Sequence, residues 1–241
     1  MVTNLAFFFE TSRKVRGGKF VWVKDSNGEQ RGNVLLGGTI KNPNKGFGKL
    51  FAAQLVQYAP QDGCLIFRSF AVNNATSAAT DTTIYIKGDG YSDAPEVGMV
   101  IMKAPDSLKV VTHAVEGGEV VTTEADYVGQ SGKIVAVTYD EANQRFAVTL
   151  DSAIGALTTD DILVEAQGTA AAASAKVLCD NPNTFIEKDE ELLPTEGYGF
   201  QNANYSLSTV YHKQAWIARM QPLPKYVLAK NRSYIPGVFE I

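Results

Sequence analysis

Cysteine and histidine are nearly absent from this sequence, with two of each in 241 residues. Cys64 and Cys179 lie far apart without a CxxC neighbour, and His113 and His212 are equally isolated. A structural zinc site or a disulfide scaffold needs several such residues at short spacings. The sequence therefore predicts no metal site and no disulfide framework, and it fits a reducing compartment.

Long hydrophobic runs are missing too, so no segment reaches the roughly 20 apolar residues of a membrane-spanning helix. The start, MVTNLAFFFETSRK, has only a short apolar run and lacks the basic residues that precede such a run in a signal peptide. We expect a protein that is made in a cytoplasm and does not associate with a membrane.

Motifs of cofactor binding and catalysis are also lacking. The stretch PNKGFGKL departs from the phosphate-binding loop pattern at two obligatory positions, and neither GxSxG nor HExxH occurs. Asp140 and Glu141, like Asp160 and Asp161, fall in predicted turns, where a carboxyl group is too exposed for acid–base catalysis. The sequence predicts no catalytic residue, no cofactor and no enzymatic activity.

The sequence does contain a strong division of charge. Residues 1–49 carry nine Lys or Arg and three acidic residues, residues 213–241 carry five and one, and residues 50–212 carry eight and twenty-two. An acidic body with two basic ends predicts ends that dock on a negative surface, either another copy or a different protein. The alternative is that both ends fold back on the acidic body of their own chain.

Aromatic residues are concentrated in the same two ends, and buried Trp, Tyr and Arg side chains dominate the energy of protein interfaces. The segment RKVRGGKFVWVK alternates positive charge with aromatic rings, which is also typical of single-strand nucleic-acid binding. The acidic body disfavours nucleic acid as a partner, because it would repel a polyanion. We therefore predict subunit contacts by ten residues: Arg13, Lys14, Arg16, Lys19, Phe20, Trp22, Trp216, Arg219, Tyr226 and Tyr234.

Short apolar runs separated by Gly, Pro, Asn and Asp predict a mainly β fold, an antiparallel sandwich or small barrel with extended N- and C-terminal arms. In RFAVTL, the side chains of Phe146, Val148 and Leu150 share one face, which is the period of a half-buried strand. KIVAVTY is apolar on both faces, so we expect a more central strand, joined to RFAVTL by a hairpin over DEANQ.

Composition divides the chain into four parts: an N-terminal arm with a hairpin at 1–45, a β-rich body at 46–167, an alanine-rich linker at 168–180 and a C-terminal extension at 181–241. The alternative for the alanine run is a short helix, because alanine has the highest helix propensity. Pro222, Pro224 and Pro236 disfavour a long helix near the end of the chain and predict an extended course there.

The order of three segments resembles that of the auxiliary capsid and head-fibre proteins of tailed phages of Bacteroides-type hosts, including the crAss-like phages. These segments are GKLFAAQLVQYAP, TTIYIKGDGYSDAPEVGMVIMKAP and GKIVAVTYDEANQRFAVTLDSAIGALTTDDILVEA. AAQLVQY stands where that group has an AGDLVEY-like run. The resemblance covers residues 46–167 and implies a non-enzymatic virion protein on the capsid exterior, present in many copies. The implied partners are the major capsid protein, other copies of the chain in a homo-oligomer, and other head proteins.

On this interpretation the two ends attach the chain to the shell. Removal of residues 1–24 and 213–241 is then expected to abolish attachment while the body stays folded. The alternative is a host-adhesion module whose loops, KGDGYSD and DEANQ, bind a glycan of the bacterial surface.

Overall fold

The structure is a computed structural model, and it describes residues 16, 35–36, 40–44, 49–59, 63–116, 119–191, 208–210, 215–216, 220–234 and 238–239. The strands in these residues are β1 Leu35–Leu36, β2 Lys49–Leu50, β3 Leu55–Ala59, β4 Gly63–Ile66, β5 Ser69–Asn74, β6 Thr83–Lys87, β7 Val100–Lys103, β8 Lys109–Glu116, β9 Glu119–Asp126, β10 Ser131–Asp140, β11 Arg145–Leu150, β12 Ile162–Glu165, β13 Thr184–Ile186, β14 Glu190–Glu191, β15 Ser208–Val210, β16 Ala215–Trp216 and β17 Val238–Phe239. The helix is α1, Lys225–Tyr234. The predicted mainly β, antiparallel fold is confirmed, while the predicted arms fall for the most part outside the described residues.

Six antiparallel strands close into a barrel in the order β10, β11, β6, β5, β12, β7. The predicted hairpin joins β10 to β11, with Asp140 paired to Arg145 at its end. Strand β11 shows the expected alternation at its end, since Val148 and Leu150 are buried and Thr149 between them is partly exposed. Phe146, the third residue of this face, is partly buried against the same core. The prediction that β10 is the more central of the two strands is wrong. Residues 131–133 pair with β7 and residues 134–140 pair with β11, whereas β11 pairs along its length with both β10 and β6. Val135 and Tyr139 of β10 are 49% and 48% exposed, so the outer part of this strand is not buried on both faces.

The interior of the barrel is filled by its own side chains. Barrels of eight strands have an interior just wide enough for side chains, and six strands enclose less. Inward-facing residues of all six strands, together with the loop residues Met99, Ile154 and Leu157, form one buried cluster. The members from the strands are Phe70, Val72, Ile84, Ile86, Ile101, Ile134, Val148, Leu150 and Leu163.

A second core joins the outside of the barrel to a five-stranded sheet with the order β1, β15, β13, β3, β4. Met102 and Val164 from the barrel pack in one cluster with Leu55 and Phe185 from the sheet and with Tyr226 from α1. The remaining strands form pairs, β14 with β2, β16 with β17 in parallel, and β8 with β9.

The extended course predicted for the end of the chain is wrong for residues 225–234, which form the ten-residue helix α1. Pro224 lies at its start, where its carbonyl accepts hydrogen bonds from the N–H groups of Val227 and Leu228. A proline at this position loses no helical hydrogen bond, because the first N–H groups of a helix have no partner within it. The prolines therefore bracket the helix and do not prevent it.

The alanine-rich segment 168–180 contains no helix, so the short-helix alternative is wrong. Gly129 and Ala175 exchange two backbone hydrogen bonds of 2.9 and 2.8 Å, and the N–H of Ser131 donates to the carbonyl of Ala172. Ala175 and Val177 are buried. These contacts attach the segment to the start of β10.

Candidate interaction surface

Strands β8 and β9 form an isolated two-stranded ribbon, called the ribbon below. Eight residue pairs are in register, and neither strand pairs with a further strand in the described part of the chain. The N–H of Tyr127 donates to the carbonyl of Leu108 at 2.8 Å, which closes the ribbon where it leaves the body. At about 3.4 Å per residue, the ribbon is about 27 Å long.

The ribbon has two different faces, because residues opposite each other in register point to the same side. One face carries the pairs Val110–Ala125, Thr112–Thr123 and Ala114–Val121, followed at the tip by the pair Glu116–Glu119. The other face carries the pairs Lys109–Asp126, Val111–Glu124, His113–Thr122 and Val115–Val120, so it combines charged and polar residues with three exposed valines. There the Nζ of Lys109 donates to Asp126, and the Nδ1 of His113 lies 2.9 Å from the Oγ1 of Thr122.

Hydrophobic side chains of the ribbon are exposed to solvent. Of the nine large hydrophobic side chains that are exposed in the described residues, five belong to the ribbon. Val115 and Val120 near the tip are 73% and 69% exposed. A two-stranded hairpin alone is at best marginally stable in water, and an exposed apolar patch marks a site of protein contact. The ribbon is therefore the candidate interaction surface.

The base of the ribbon is tied to the body by ion pairs. The Nζ atoms of Lys109 and Lys176 each donate to one carboxylate oxygen of Asp126, both at 2.8 Å. These hydrogen bonds hold the pKa of Asp126 at about 2, because they stabilise the ionised carboxylate. The aspartate therefore stays charged at ordinary pH and links β9 to the segment that contains Lys176.

Sequence reasoning missed the ribbon, although a signal was present. The runs KVVTHAVE and EVVTTEAD are separated by Gly117 and Gly118, a dipeptide that two-residue hairpin connections favour. These glycines lie outside the described residues. Both faces of the ribbon are in water, so its strands lack the one-sided burial that makes a half-buried strand easy to recognise.

Arg16, one of the predicted contact residues, is buried inside its own chain, with 3% of its surface exposed. Its Nη1 donates to Asp93 Oδ1 at 2.8 Å, and its guanidinium lies 4.7 Å from the centre of the Phe51 ring. Its Nη2 donates to Gln221 Oε1 at 3.2 Å. Arg16 thus joins the N-terminal region to the barrel loop of Asp93 and to the C-terminal region, and it would have to leave this position to contact another molecule.

The other predicted contact residues are distributed as follows. Tyr226 is buried, and its hydroxyl donates to the carbonyl of Cys179 at 3.0 Å. Trp216 lies in β16, beside Phe239 of β17, and Tyr234 is the last residue of α1. Six lie outside the described residues: Arg13, Lys14, Lys19, Phe20, Trp22 and Arg219. The role of all ten at an interface stays a prediction.

A second buried ion pair fixes residues 40–44 to the barrel. The Nε and Nη2 of Arg68 donate to the two carboxylate oxygens of Glu165 at 2.8 and 2.7 Å, and both side chains are 4% exposed. Asn42 donates to the same carboxylate at 2.9 Å. Burial raises the pKa of the nearby Glu96, with Arg68 acting in the opposite direction. Sequence reasoning missed this cluster, whose members are scattered along the chain.

The loops KGDGYSD and DEANQ adjoin each other at the barrel, since the N–H of Gly88 donates to the carbonyl of Gln144 at 2.8 Å. Their acids make local contacts: Asp89 accepts from the N–H of Tyr91, and Asp140 accepts from the side chain of Asn143. The hydrogen bond from Asn143 lowers the pKa of Asp140. In the described residues, no group of three His, Cys, Asp or Glu side chains could hold a metal ion.

A polar groove of about 540 Å³ runs along residues 74–77 and 80–85. Its functional groups are engaged in the loop itself. Asp81 accepts hydrogen bonds from Ser77 and from the N–H of Ala78, and the guanidinium of Arg145 lies 4.1 Å from the centre of the Tyr85 ring. The polar groups that line this groove therefore stabilise the loop that forms it.

Comparison with known proteins gave no match to a family model, to a curated protein or to a solved structure. Among the described residues, no helix is both long and apolar enough to cross a membrane.

Proposed function

We propose that this chain is a structural protein of a tailed-phage virion, an auxiliary or head-fibre component that attaches to the capsid exterior in many copies. The observation that carries the proposal is the ribbon, which exposes five valines on a body whose barrel is filled by its own side chains. The resemblance of residues 46–167 to head proteins supports the same role and suggests the major capsid protein as a partner.

The energetics of a repeating shell fit a small contact element of this kind. A single ribbon offers a limited contact area, and such interfaces are weak one at a time. On a lattice, copies that also contact one another dissociate only when several contacts break together, so a weak element gives durable attachment. Asp89 and Asp140 accept hydrogen bonds in turns and Asp126 forms ion pairs, which agrees with a non-enzymatic role.

The first test is the copy number of the protein in purified particles, measured by quantitative mass spectrometry relative to the major capsid protein. We expect a fixed ratio corresponding to many copies per head. A handful of copies would place the protein at the neck or tail, and its absence from particles would refute the proposal.

A second test asks whether the ribbon mediates attachment. Replacing residues 109–126 by Gly-Gly joins Leu108 to Tyr127, which are already hydrogen-bonded. We expect the variant to fold and to lose binding to heads that lack the protein. The matched control replaces the DEANQ tip, residues 140–144, by a glycine–serine loop of equal length and should bind normally.

A glycan-binding adhesion module is the second candidate, favoured by the adjacency of the KGDGYSD and DEANQ loops. It predicts that the isolated protein binds host-surface glycans and that the DEANQ-tip variant loses this binding. The structural role predicts no glycan binding by either protein.

A further inference from the structure

We propose that the outer edge of β9 in the ribbon binds an extended, basic segment of a partner protein, which adds to the ribbon as a third antiparallel strand. This rests on the proposed function in one respect, that the ribbon attaches the chain to another protein, and it names the kind of segment that is bound. In strand addition, main-chain hydrogen bonds give affinity and alternate side chains give specificity.

The backbone of β9 presents unused hydrogen-bonding groups along its outer edge. At the base of the ribbon, Leu108 and Tyr127 form a hydrogen-bonded pair, since the N–H of Tyr127 donates to the carbonyl of Leu108. Hydrogen-bonded and non-hydrogen-bonded pairs alternate along antiparallel strands, which places Val120, Thr122 and Glu124 in non-hydrogen-bonded pairs. Their N–H and C=O groups therefore point away from β8. No other described strand pairs with β9, so these groups are available to an added strand.

The edge of β9 lacks the features that usually prevent strand addition. Natural edge strands are short, carry proline or lysine, contain a bulge or are covered by other elements. β9 has eight residues, EVVTTEAD, with neither proline nor lysine, and its register with β8 is uninterrupted. All eight side chains are exposed. An unprotected edge of this length is a template for a further strand, and a ribbon of two strands gains stability from a third.

Charge on the ribbon and around it selects a basic segment. Residues 109–126 carry one Lys and four acidic residues, and residues 50–212 carry eight basic and twenty-two acidic residues. An acidic strand would therefore be repelled. Glu124 and Asp126 share one side of β9, and the Nζ of Lys109 lies 2.8 Å from Asp126 but 3.6 Å from Glu124. The carboxylate of Glu124, which is 58% exposed, is thus accessible to a second cation.

The side chains of β9 predict an alternating pattern in the bound segment, because residues opposite each other in a sheet lie on the same side and contact each other. The side that carries Glu124 and Asp126 favours Lys or Arg, whose hydrocarbon stems also pack beside the more distal Val120. The other side favours Val, Ile or Thr, since it carries Val121, Thr123 and Ala125, with Glu119 at the tip. An alternation of basic and β-branched residues therefore fits this edge.

A single contact of this kind is weak. An added strand about 27 Å long buries less than the roughly 1,200 Å² of a standard protein interface, so we expect a micromolar to millimolar Kd. Repetition of the contact on a lattice compensates for this weakness.

NMR titration of the full-length protein tests the proposal, with a blocked peptide of the length of β9 in which Val and Lys alternate. We expect saturable shifts of the backbone amide signals of Val120, Thr122 and Glu124 and slower hydrogen exchange at these positions. The same peptide with Glu in place of Lys should not bind. Absence of saturable shifts with the Val-Lys peptide, or equal binding of the Val-Glu peptide, would overturn the proposal.

Two proline variants test which edge is bound. Thr122 and His113 lie opposite each other in a non-hydrogen-bonded pair, and the Nδ1 of His113 lies 2.9 Å from the Oγ1 of Thr122. Proline at either position removes one outward N–H and the same side-chain contact, and it leaves the hydrogen bonds between β8 and β9 in place. Thr122→Pro should weaken binding of the Val-Lys peptide about tenfold, because one main-chain hydrogen bond is lost, whereas His113→Pro should bind as the wild type does. Equal binding by the two variants would refute the assignment to β9.

A third variant tests the charge and leaves the backbone unchanged. Glu124→Gln should weaken binding of the Val-Lys peptide about two- to fivefold, because one cross-strand charge pair is lost. Unchanged affinity would overturn the preference for a basic segment.

These experiments use the isolated full-length protein, so their failure is distinct from failure of the proposed function. A protein that binds no peptide but is present in many copies on heads would remove strand addition and leave the structural role. A protein that binds the peptide but is absent from particles would do the reverse.

Discussion

Replacing Arg16 by methionine is expected to lower the free energy of unfolding by about half as much as the same replacement of Arg68. Removing one partner of a buried ion pair costs about 3–5 kcal/mol, because the other charge stays buried. Arg68 fits this case: its Nε and Nη2 both bind Glu165, and Nη2 also donates to the carbonyl of Asn44 at 2.7 Å. We expect about 4 kcal/mol for Arg68→Met.

Arg16 differs from Arg68 in two respects, because it binds its carboxylate through one nitrogen instead of two and its Nε has no partner. Its Nη1 binds Asp93 at 2.8 Å, but its Nε is buried without a hydrogen-bond partner. An unsatisfied buried donor costs about 1–3 kcal/mol, and methionine removes it. Methionine also keeps a contact with the Phe51 ring, since sulfur packs favourably near aromatic rings. The expected loss for Arg16→Met is therefore about 2 kcal/mol, the ion-pair cost less the donor penalty.

Equilibrium unfolding in guanidinium chloride measures both losses, provided that the dependence of the free energy of unfolding on denaturant concentration is the same for the wild type and the two variants. In a chain of this size about 2 kcal/mol corresponds to a fall of about 4–8 °C in Tm. Asp93→Asn in the Arg16→Met background should recover part of the loss, because it removes the buried charge left behind. A loss for Arg16→Met equal to that of Arg68→Met would refute the reasoning. A loss below about 0.5 kcal/mol, typical of exposed sites, would place Arg16 on the surface, where it is free for an interface.

Three further outcomes follow from single groups. Glu96→Gln should raise Tm at pH 7 and have no effect below about pH 4, the ordinary glutamate pKa. Burial raises the pKa of Glu96 in the folded chain, so the wild type loses stability as pH rises from the ordinary pKa to the raised one. Thermal scans across pH measure this, and a variant less stable than the wild type at pH 7 would contradict it. Gly132→Ala should lose about 1–3 kcal/mol in guanidinium unfolding, because its Cβ would lie 2.4 Å from the carbonyl oxygen of Ser152, and an unchanged midpoint would show that this contact relaxes freely. NMR titration should find the Asp126 carboxyl ionising at about pH 2, so its ion pairs are complete above about pH 4 and are lost as pH falls through 2. Lys109→Met should raise the midpoint of this titration, because it removes one of the two hydrogen bonds that lower the pKa. A wild-type midpoint near 4 would be inconsistent with the hydrogen bonds described.

The alternation of apolar and polar residues predicted those strands that have one face in the core and one face in solvent. The strand RFAVTL could be predicted because alternate residues enter the barrel core. The DEANQ hairpin could be predicted because its two strands are adjacent in sequence. Closure of the barrel needs the pairings of β5 with β12 and of β10 with β7. These join distant segments, and no short-range pattern specifies them.

The ten predicted contact residues lie in other segments than the ribbon, and their role at an interface stays a prediction. A basic and aromatic run such as RKVRGGKFVWVK is typical of a binding arm, but the partner that buries Arg16 is Asp93, 77 residues away. The sequence of the ribbon indicates a hairpin, but only the three-dimensional fold shows that its valines stay exposed on both faces in the described residues.

These contacts also change which truncation is informative. Arg16 with Asp93 and Lys225 with Asp106 are contacts of a basic end with the acidic body of the same chain, which favours the alternative that the ends fold back. Removing residues 213–241 would also take Ala215 and four larger buried side chains, Met220, Leu223, Tyr226 and Val227, out of the second core. At about 1.5–3 kcal/mol each, burial of the four larger side chains contributes roughly 6–12 kcal/mol, comparable with the whole stability of a typical domain. The expected result of truncating both ends is therefore an unfolded or aggregated body, and loss of attachment in that variant would say nothing about the interface. Deleting the ribbon removes solvent-exposed residues instead, so it separates attachment from folding.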